Sequence, residues 1–347
     1  MTQIEQSTQV RENLRSVQNS LALKKLKGIK PKGVKFKPTT NLERLISAGK
    51  EISKYTTELL DLMWLDVSRY YPGDLVEPFT KLAESLEFSD QDLADWIDYS
   101  YSDVSSFAEC IVPGFFASCL LNEFTKRKHQ DDKLSVFHFD GAGNKYDYLF
   151  AFTTNVDVLI LNNLEGNYIS HNLGFRKWEK YTAPDLGIIA GVNVTGDHNF
   201  TEVKFNDANC QGLFGFNVLG KALYGIRAGY YFEGAGGNAH SRNFTFFPRR
   251  VNMMGDCVHS CLDYLKLSKN EIANLSSDEV FKRQYDDRCK FSKRVADNEL
   301  DVWKEMNGAE LFDLLRYLAK NPCSKSTKNQ IVNIAQTTYK VGKNYEY

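Results

Sequence analysis

Four acidic or histidine residues in the middle of the chain could form an acid–base site. A carboxyl group beside a histidine can take a proton from a substrate and return it, which is general acid–base chemistry. Spacing along the sequence does not fix the distances between these side chains, and aspartate at a chain corner commonly forms the turn itself. The sequence therefore favours a structural role over catalysis for these four residues, which are Asp197, His198, Glu202 and His240.

A second group, two cysteines one helical turn apart with a histidine between them, could bind a metal ion. A structural zinc site commonly takes four ligands from two close pairs, and no second pair accompanies this one. The second cysteine also falls in the apolar stripe of a predicted helix, where cysteine behaves as a small apolar side chain. Neither a metal nor any other cofactor is predicted; the three residues are Cys257, His259 and Cys261.

Lysines crowd the segment that ends at residue 38. Their charge could bind the phosphate backbone of a nucleic acid or an acidic protein surface. Pro31 and Pro38 prevent a continuous helix, and the single apolar residues between the lysines are too few to form a core. A solvated linker is the simpler interpretation and binding is the alternative. The lysines are Lys24, Lys25, Lys27, Lys30, Lys32, Lys35 and Lys37.

The elements that would position the central residues are short strands separated by asparagine and glycine. The strand-like segments are rich in β-branched and aromatic residues, as half-buried strands usually are. The last three segments begin about 20 residues apart, a spacing typical of stacked repeats, and Asn and Gly would form the corners because they tolerate positive φ. The predicted strands are 135–139, 147–152, 157–161, 186–190, 202–205, 223–227 and 243–247.

This pattern predicts an α+β fold with a central β-solenoid, a parallel β-helix, between helical regions. An antiparallel β-sandwich with helices is the alternative. The chain would then have five segments. They are a flexible basic arm at 1–40, a helical domain at 41–130, the solenoid-like domain at 135–250, a helical cap at 251–323 and a polar tail at 324–347.

Apolar residues that recur every three or four positions predict the flanking helices. Asn41 is expected to cap the first helix and Ser89 the third, and a break is expected near Pro113 and Gly114. The polar tail is expected to hold only a short helix around 331–335. The other predicted helices are 41–67, 77–86, 90–99, 103–128, 255–267, 278–294, 295–306 and 309–319.

Bulk composition excludes several classes of protein. The net charge is −1, with 25% charged and 42% hydrophobic residues, which are ordinary values for a globular protein. The seven cysteines are odd in number and irregularly spaced, so a reducing compartment is expected. The first residues lack the apolar stretch of a signal peptide, and no stretch is apolar enough to span a membrane. The sequence predicts a cytoplasmic protein with no membrane partner.

These features favour a non-enzymatic structural or protein-interaction protein built on a helix-capped solenoid, with a partner protein or a second copy as its ligand. A nucleic-acid-binding protein is the alternative, and it would use the lysine arm and the basic helix around Arg288. A second alternative is an enzyme whose Asp, His and Glu residues converge in the β region.

Overall fold

The computed structural model describes residues 40–55, 73–102, 104, 106, 108–171, 173, 185–197, 199–200, 212–216, 232–233, 276, 304–305 and 307–343. In this part of the chain, six α-helices accompany one parallel sheet. The helices are α1 (Asn41–Ile52), α2 (Gly73–Glu84), α3 (Asp90–Tyr101), α4 (Ile111–Gln130), α5 (Gly308–Lys320) and α6 (Lys325–Lys343). The strands are β1 (Val136–Asp140), β2 (Asn155–Glu165), β3 (Asp185–Thr195), β4 (Gly212–Phe216) and β5 (Phe232–Glu233).

The strands lie side by side in chain order, and every pairing is parallel. Alternate side chains of a strand point to opposite faces, so the sheet has two apolar faces. One face packs on α4, where Phe124 meets Phe137 and Leu159 lies in the same core. The other face packs on α5 and α6. Its core consists of Val158, Ile160, Ile188, Ala190 and Val192 with Leu311, Phe312, Leu315, Leu318, Ile331, Ala335 and Tyr339.

The predicted β-solenoid is wrong. Over the described residues the strands form one open sheet covered by helices, rather than a closed coil, and the alternative antiparallel sandwich is not seen because the pairing is parallel throughout. The repeat is also irregular. Val136, Val158, Ile188 and Gly212 stand side by side in the sheet, 22, 30 and 24 residues apart along the chain.

The segment 147–152 shows why the sequence pattern predicts a strand where the structure has none. Its aromatic residues predict a strand, but Tyr148, Phe150 and Phe152 have φ of 63°, 58° and 66°, which a strand does not allow. Each ring is buried, and Phe150 packs edge-on against Phe137 with their centroids 5.6 Å apart. Packing of the rings therefore overrides the β-propensity of the residues. The predicted strands 202–205, 223–227 and 243–247 lie outside the described residues.

Asparagine residues bend the chain at the carboxyl ends of β2 and β3. Asn163 and Asn193 both have φ of 53°, a left-handed conformation that Asn tolerates better than most residues. They are neighbours in the sheet, and Asn193 Nδ2 donates to Asn163 Oδ1 at 3.1 Å. Beyond the bend, Gly166 N–H donates to the carbonyl of Thr195 at 2.8 Å, so the turns after the strands are also hydrogen-bonded to each other.

Two of the predicted N-terminal caps can be compared with the structure. Ser89 caps α3 as predicted, and its hydroxyl accepts from Asp92 N–H in a capping box. The cap of α1 is Thr40 and not Asn41. α1 ends at Ile52 and a 3-10 turn follows at Ser53–Tyr55, while residues 56–67 of the predicted helix lie outside the described residues. The predicted break in α4 is absent because Pro113 lies in the first turn, where a backbone N–H has no helical partner.

The last two helices form a hairpin across the second face of the sheet. α5 lies close to its predicted position, whereas α6 replaces the short helix expected in the polar tail. Ile331, Ala335 and Tyr339 recur every fourth residue and are buried on the sheet, which explains the length of α6. The predicted helices 255–267 and 278–294 lie outside the described residues. The division into five segments stays a prediction.

Candidate functional site

Asp157 is the centre of a buried polar cluster at the start of β2. Its side chain is fully buried, and Oδ2 accepts from the Ser135 N–H at 2.6 Å and from the Ser135 hydroxyl at 3.0 Å. His129 Nε2 lies 2.8 Å from the same oxygen. The Ser135 oxygen in turn accepts from Thr125 and from the Asp157 N–H. The cluster joins the end of α4 to the starts of β1 and β2.

This cluster has the residue types of a catalytic triad but not its connectivity. In a serine triad the histidine accepts the proton of the serine hydroxyl, and the carboxyl group orients the histidine. Here the Ser135 hydroxyl donates to Asp157 instead, and Ser135 is completely buried. A substrate cannot reach this oxygen, so the cluster holds the fold together.

Asp147 is a second buried carboxyl group with a structural role. Its Oδ1 accepts from the Asn167 N–H at 2.7 Å, and Lys145 Nζ lies 2.8 Å from Oδ2. Cys110 Sγ is 3.9 Å from the same Oδ2. Burial, followed by the charge of Asp147, raises the pKa of the Cys110 thiol to about 12. A thiol that stays protonated is a poor nucleophile, so this pair does not form a reactive cysteine site.

His138 is half-buried in β1 on the face that carries α6. Its Nε2 atom is buried and has no hydrogen-bond partner among the described residues. Burial, with a smaller contribution from the positive charge of Lys328, lowers the pKa of His138 to about 4. The imidazole is therefore neutral at neutral pH, and Lys328 lies close enough to affect it.

We expect His138 to make the protein less stable in acid. The unfolded chain binds a proton near the ordinary histidine pKa of about 6.5, whereas the folded chain does so only near pH 4. Unfolding therefore takes up a proton between these values, and lowering the pH from 7 to about 4.5 should cost roughly 2–3 kcal/mol through this residue. Urea unfolding at both pH values, compared with His138→Gln, measures the difference. Equal losses in the two proteins would contradict the assignment.

Few of the predicted site residues are described. Asp197 is partly exposed; its N–H donates to Asn167 Oδ1 at 2.7 Å and its carbonyl accepts from the Tyr168 N–H at 2.9 Å, so its backbone forms part of a turn. His198, Glu202 and His240 lie outside the described residues. So do the lysines of the arm, Arg288, and the candidate metal ligands Cys257, His259 and Cys261. In the described ranges, no group of three or more His, Cys, Asp or Glu residues could hold a metal ion.

The end of the α5–α6 hairpin carries a cluster of positive charge. α5 ends at Lys320 and α6 begins at Lys325, with a connection of only four residues between them. Lys320, Lys325 and Lys328 are exposed, Arg316 is partly exposed, and Tyr317 lies between them on α5. We call Arg316, Tyr317, Lys320, Lys325 and Lys328 the hairpin tip.

Acidic residues are scarce around the hairpin tip. No Asp or Glu occurs from 314 to 345, whereas this stretch contains Arg316, Lys320, Lys325, Lys328, Lys340 and Lys343. Asp313 and Glu310 lie on earlier turns of α5. Burial is the largest cause of the raised pKa of Cys323. Asp140, at the end of β1, also raises this pKa, whereas Lys328 lowers it, so both charged groups lie near Cys323. The Asp140 carboxyl group accepts from Asn162, Asn163 and the Ala142 N–H.

Two lysines of the tip oppose the dipole of their own helix. The first turn of a helix favours acidic side chains because the peptide dipoles place partial positive charge there. The first turn of α6 has no acidic residue and begins with Lys325. Neither Lys325 nor Lys328 forms an ion pair within the described chain, whereas Lys81 on α2 pairs with Glu77 at 2.7 Å. A bound anion would relieve this concentration of positive charge.

The hairpin tip is not evident from the sequence for an identifiable reason. The composition after Ser324 predicts a polar tail, which separates its lysines from those of the preceding helix. The available signal was the long interval without an acidic residue. It becomes meaningful only when α5 and α6 are known to form a hairpin, because the hairpin brings the last turn of one helix beside the first turn of the other.

Comparison with known proteins gives no relative for this chain: no family model, no curated protein and no solved structure matches it. Among the described residues, every helix is too short or too polar to reach across a lipid bilayer.

Proposed function

We propose that this protein binds nucleic acid through the hairpin tip. The observation that carries the proposal is the clustering of exposed lysines at the junction of α5 and α6, where neither Lys325 nor Lys328 forms an ion pair within the described chain. Clustered Lys and Arg on one face form the electrostatic footprint of a phosphate-binding surface. The net charge of −1 is no obstacle, because the positive charge is local and a phosphate backbone interacts mainly with the surface that it touches.

The exposed polar residues of α6 support a phosphate partner. Ser326, Asn329, Gln330 and Asn333 are exposed along the helix and can donate hydrogen bonds. Much of the contact between proteins and nucleic acids consists of such bonds from Lys, Ser, Asn and Gln to phosphate and sugar oxygens. α6 combines lysines with neutral donors and has no carboxyl side chain from Lys325 to Lys343, so its exposed face suits a nucleic acid backbone.

Nucleic-acid binding is one of the functions expected from the sequence. A non-enzymatic protein-interaction role stays a prediction, and an acidic protein surface would dock at the same lysines. The lysines of the 24–37 segment would add positive charge to a nucleic-acid-binding protein, which also stays a prediction. What favours nucleic acid is the set of neutral donors on α6 beside the charge.

Binding should depend on Lys325 and Lys328. A Lys325→Gln/Lys328→Gln variant is expected to bind an oligonucleotide at least about tenfold more weakly at about 0.1 M salt, because each lysine that neutralises a phosphate releases a counterion. The slope of log affinity against log salt should become shallower by about 2. Fluorescence anisotropy with a labelled oligonucleotide across a salt series measures both quantities.

A Lys50→Gln/Lys81→Gln variant is the matched control. It makes the same change in net charge with exposed lysines of α1 and α2, whose buried residues belong to the core on the opposite face of the sheet. It should bind like the unmodified protein. The tip variant should melt no lower than the unmodified protein, because its lysines oppose the helix dipole. Equal losses of affinity in both double variants would refute a specific site at the tip.

A further inference from the structure

Tyr317 is the residue of the hairpin tip that a purely electrostatic surface does not explain. Its side chain is 51% exposed, and it is the only large hydrophobic residue that is exposed in the described part of the chain. Leu315 and Leu318, on either side of it, are buried against the sheet, so Tyr317 points away from the core on the outer side of α5. Packing among the described residues does not account for its ring.

The position of Tyr317 places an aromatic ring among cations. Arg316 precedes it, and Lys320 lies three residues further on, which puts Lys320 beside Tyr317 on the helix surface. The Asn321 side chain donates to the Tyr317 carbonyl at 2.8 Å and so fixes the end of α5 next to the connection. Lys325 and Lys328 follow at the start of α6. The ring is therefore held on a regular helix with Arg316 and Lys320 beside it and Lys325 and Lys328 beyond the connection, while Asp313 lies one turn earlier on α5.

On the basis of the proposed function, we infer that the hairpin tip binds single-stranded nucleic acid, with an unpaired base stacked on Tyr317. Proteins that bind single strands combine a positive surface for the backbone with aromatic rings for the bases. A duplex keeps its base faces stacked inside the helix and offers only edges and phosphates. Tyr317 would contribute nothing to duplex binding beyond its hydroxyl group, so its exposed ring favours a strand whose bases are free.

The roles within the tip follow from the chemistry of each side chain. Lys320, Lys325 and Lys328 would bind successive phosphates, and the Tyr317 ring would bind a base without preference for its identity, because every base has an aromatic face. Arg316 lies over the ring of Phe312 with its guanidinium 4.8 Å from the ring centroid, an arrangement that keeps its position defined at the border of the surface.

The test compares single-stranded and duplex oligonucleotides of equal length on the full-length protein and its variants. Tyr317→Ala should weaken single-strand binding by about five- to a hundred-fold, the range for loss of one stacked base, and should change duplex binding by less than about twofold. Tyr317→Phe should bind the single strand like the unmodified protein, because the ring is kept. Thermal melting of Tyr317→Ala should be unchanged, because the ring is not part of the core.

The outcomes separate this inference from the proposed function. Unchanged single-strand affinity in Tyr317→Ala, or duplex binding at least as tight as single-strand binding, would overturn the stacking role while the Lys325/Lys328 variant still reports on the tip. If neither form of nucleic acid binds even at low salt, both proposals fail. Binding of polyglutamate that depends on Lys325 and Lys328 would then assign an acidic protein partner to this surface.

Discussion

Replacing Asp157 with alanine is expected to lower the free energy of unfolding by about 3 kcal/mol or more. The change leaves the Ser135 N–H, the Ser135 hydroxyl and His129 Nε2 without the acceptor that lies within 3.0 Å of each. A buried donor without an acceptor costs about 1–3 kcal/mol, and the Ser135 N–H cannot turn towards another partner. Because Asp157 joins α4 to two strands, the loss should affect the whole sheet.

Urea unfolding measures this prediction, and an unchanged slope would show that only stability has changed. Asp131→Ala is the control. Asp131 lies close in sequence to His129, but its side chain is 64% exposed and, within the described part of the chain, pairs only with Lys133 at 3.4 Å. Exposed pairs contribute about 1 kcal/mol at most, so this variant should resemble the unmodified protein. An Asp157→Ala variant within about 1 kcal/mol of the control would mean that the buried hydrogen bonds contribute little net stability.

Local sequence patterns correctly predict the elements that depend on interactions between residues close together in the sequence. Ser89 identifies the start of α3 because a capping box needs only residues within one turn. The apolar segments at 157–161 and 186–190 fall within β2 and β3 because strands buried on both faces are continuously hydrophobic. Parallel pairing of these strands brings helices to both faces, and this arrangement depends on contacts far apart in sequence.

Elements that depend on distant contacts were predicted poorly. Gly114 lies against the backbone of Tyr148, so α4 can approach the 147–152 segment only because it has no side chain at that position. Neither the unbroken course of α4 nor the positive φ at Tyr148 can be predicted from the residues adjacent to it in the sequence. The length of α6 has the same origin, since Ile331, Ala335 and Tyr339 become an apolar stripe only when a sheet lies beneath them.

The polar clusters illustrate the same limit for functional sites. Ser135 and Asp157 each looked like the polar start of a strand, and it is the register of β1 on β2 that brings them together. The hairpin tip likewise requires the pairing of α5 with α6. Composition could reveal the excess of lysine, but only the fold shows that Tyr317 and the lysines occupy one end of one hairpin.

The second large effect on the free energy of unfolding is expected at Gly187, where α6 packs on the sheet. A side chain at this position of β3 would collide with the carbonyl of Asp157 in the neighbouring strand and with the ring of Tyr339, which is completely buried. The carbonyl belongs to the backbone of β2 and cannot move far. Gly187→Val should therefore displace Tyr339 and lower the free energy of unfolding by about 3 kcal/mol, the upper range for overpacking a core.

A double variant identifies the cause of this loss. Tyr339→Ala alone should cost about 3–5 kcal/mol by leaving a cavity, but it should cost clearly less in the Gly187→Val protein, where the new methyl groups occupy part of that space. Thr195→Val introduces the same residue at an exposed position of β3 and should stay within about 0.5 kcal/mol of the unmodified protein. Additive losses at positions 187 and 339 would show that the two residues do not meet. Additivity would therefore contradict the contact between Gly187 and Tyr339 that places α6 on the sheet. The position of the hairpin tip depends on the same contact.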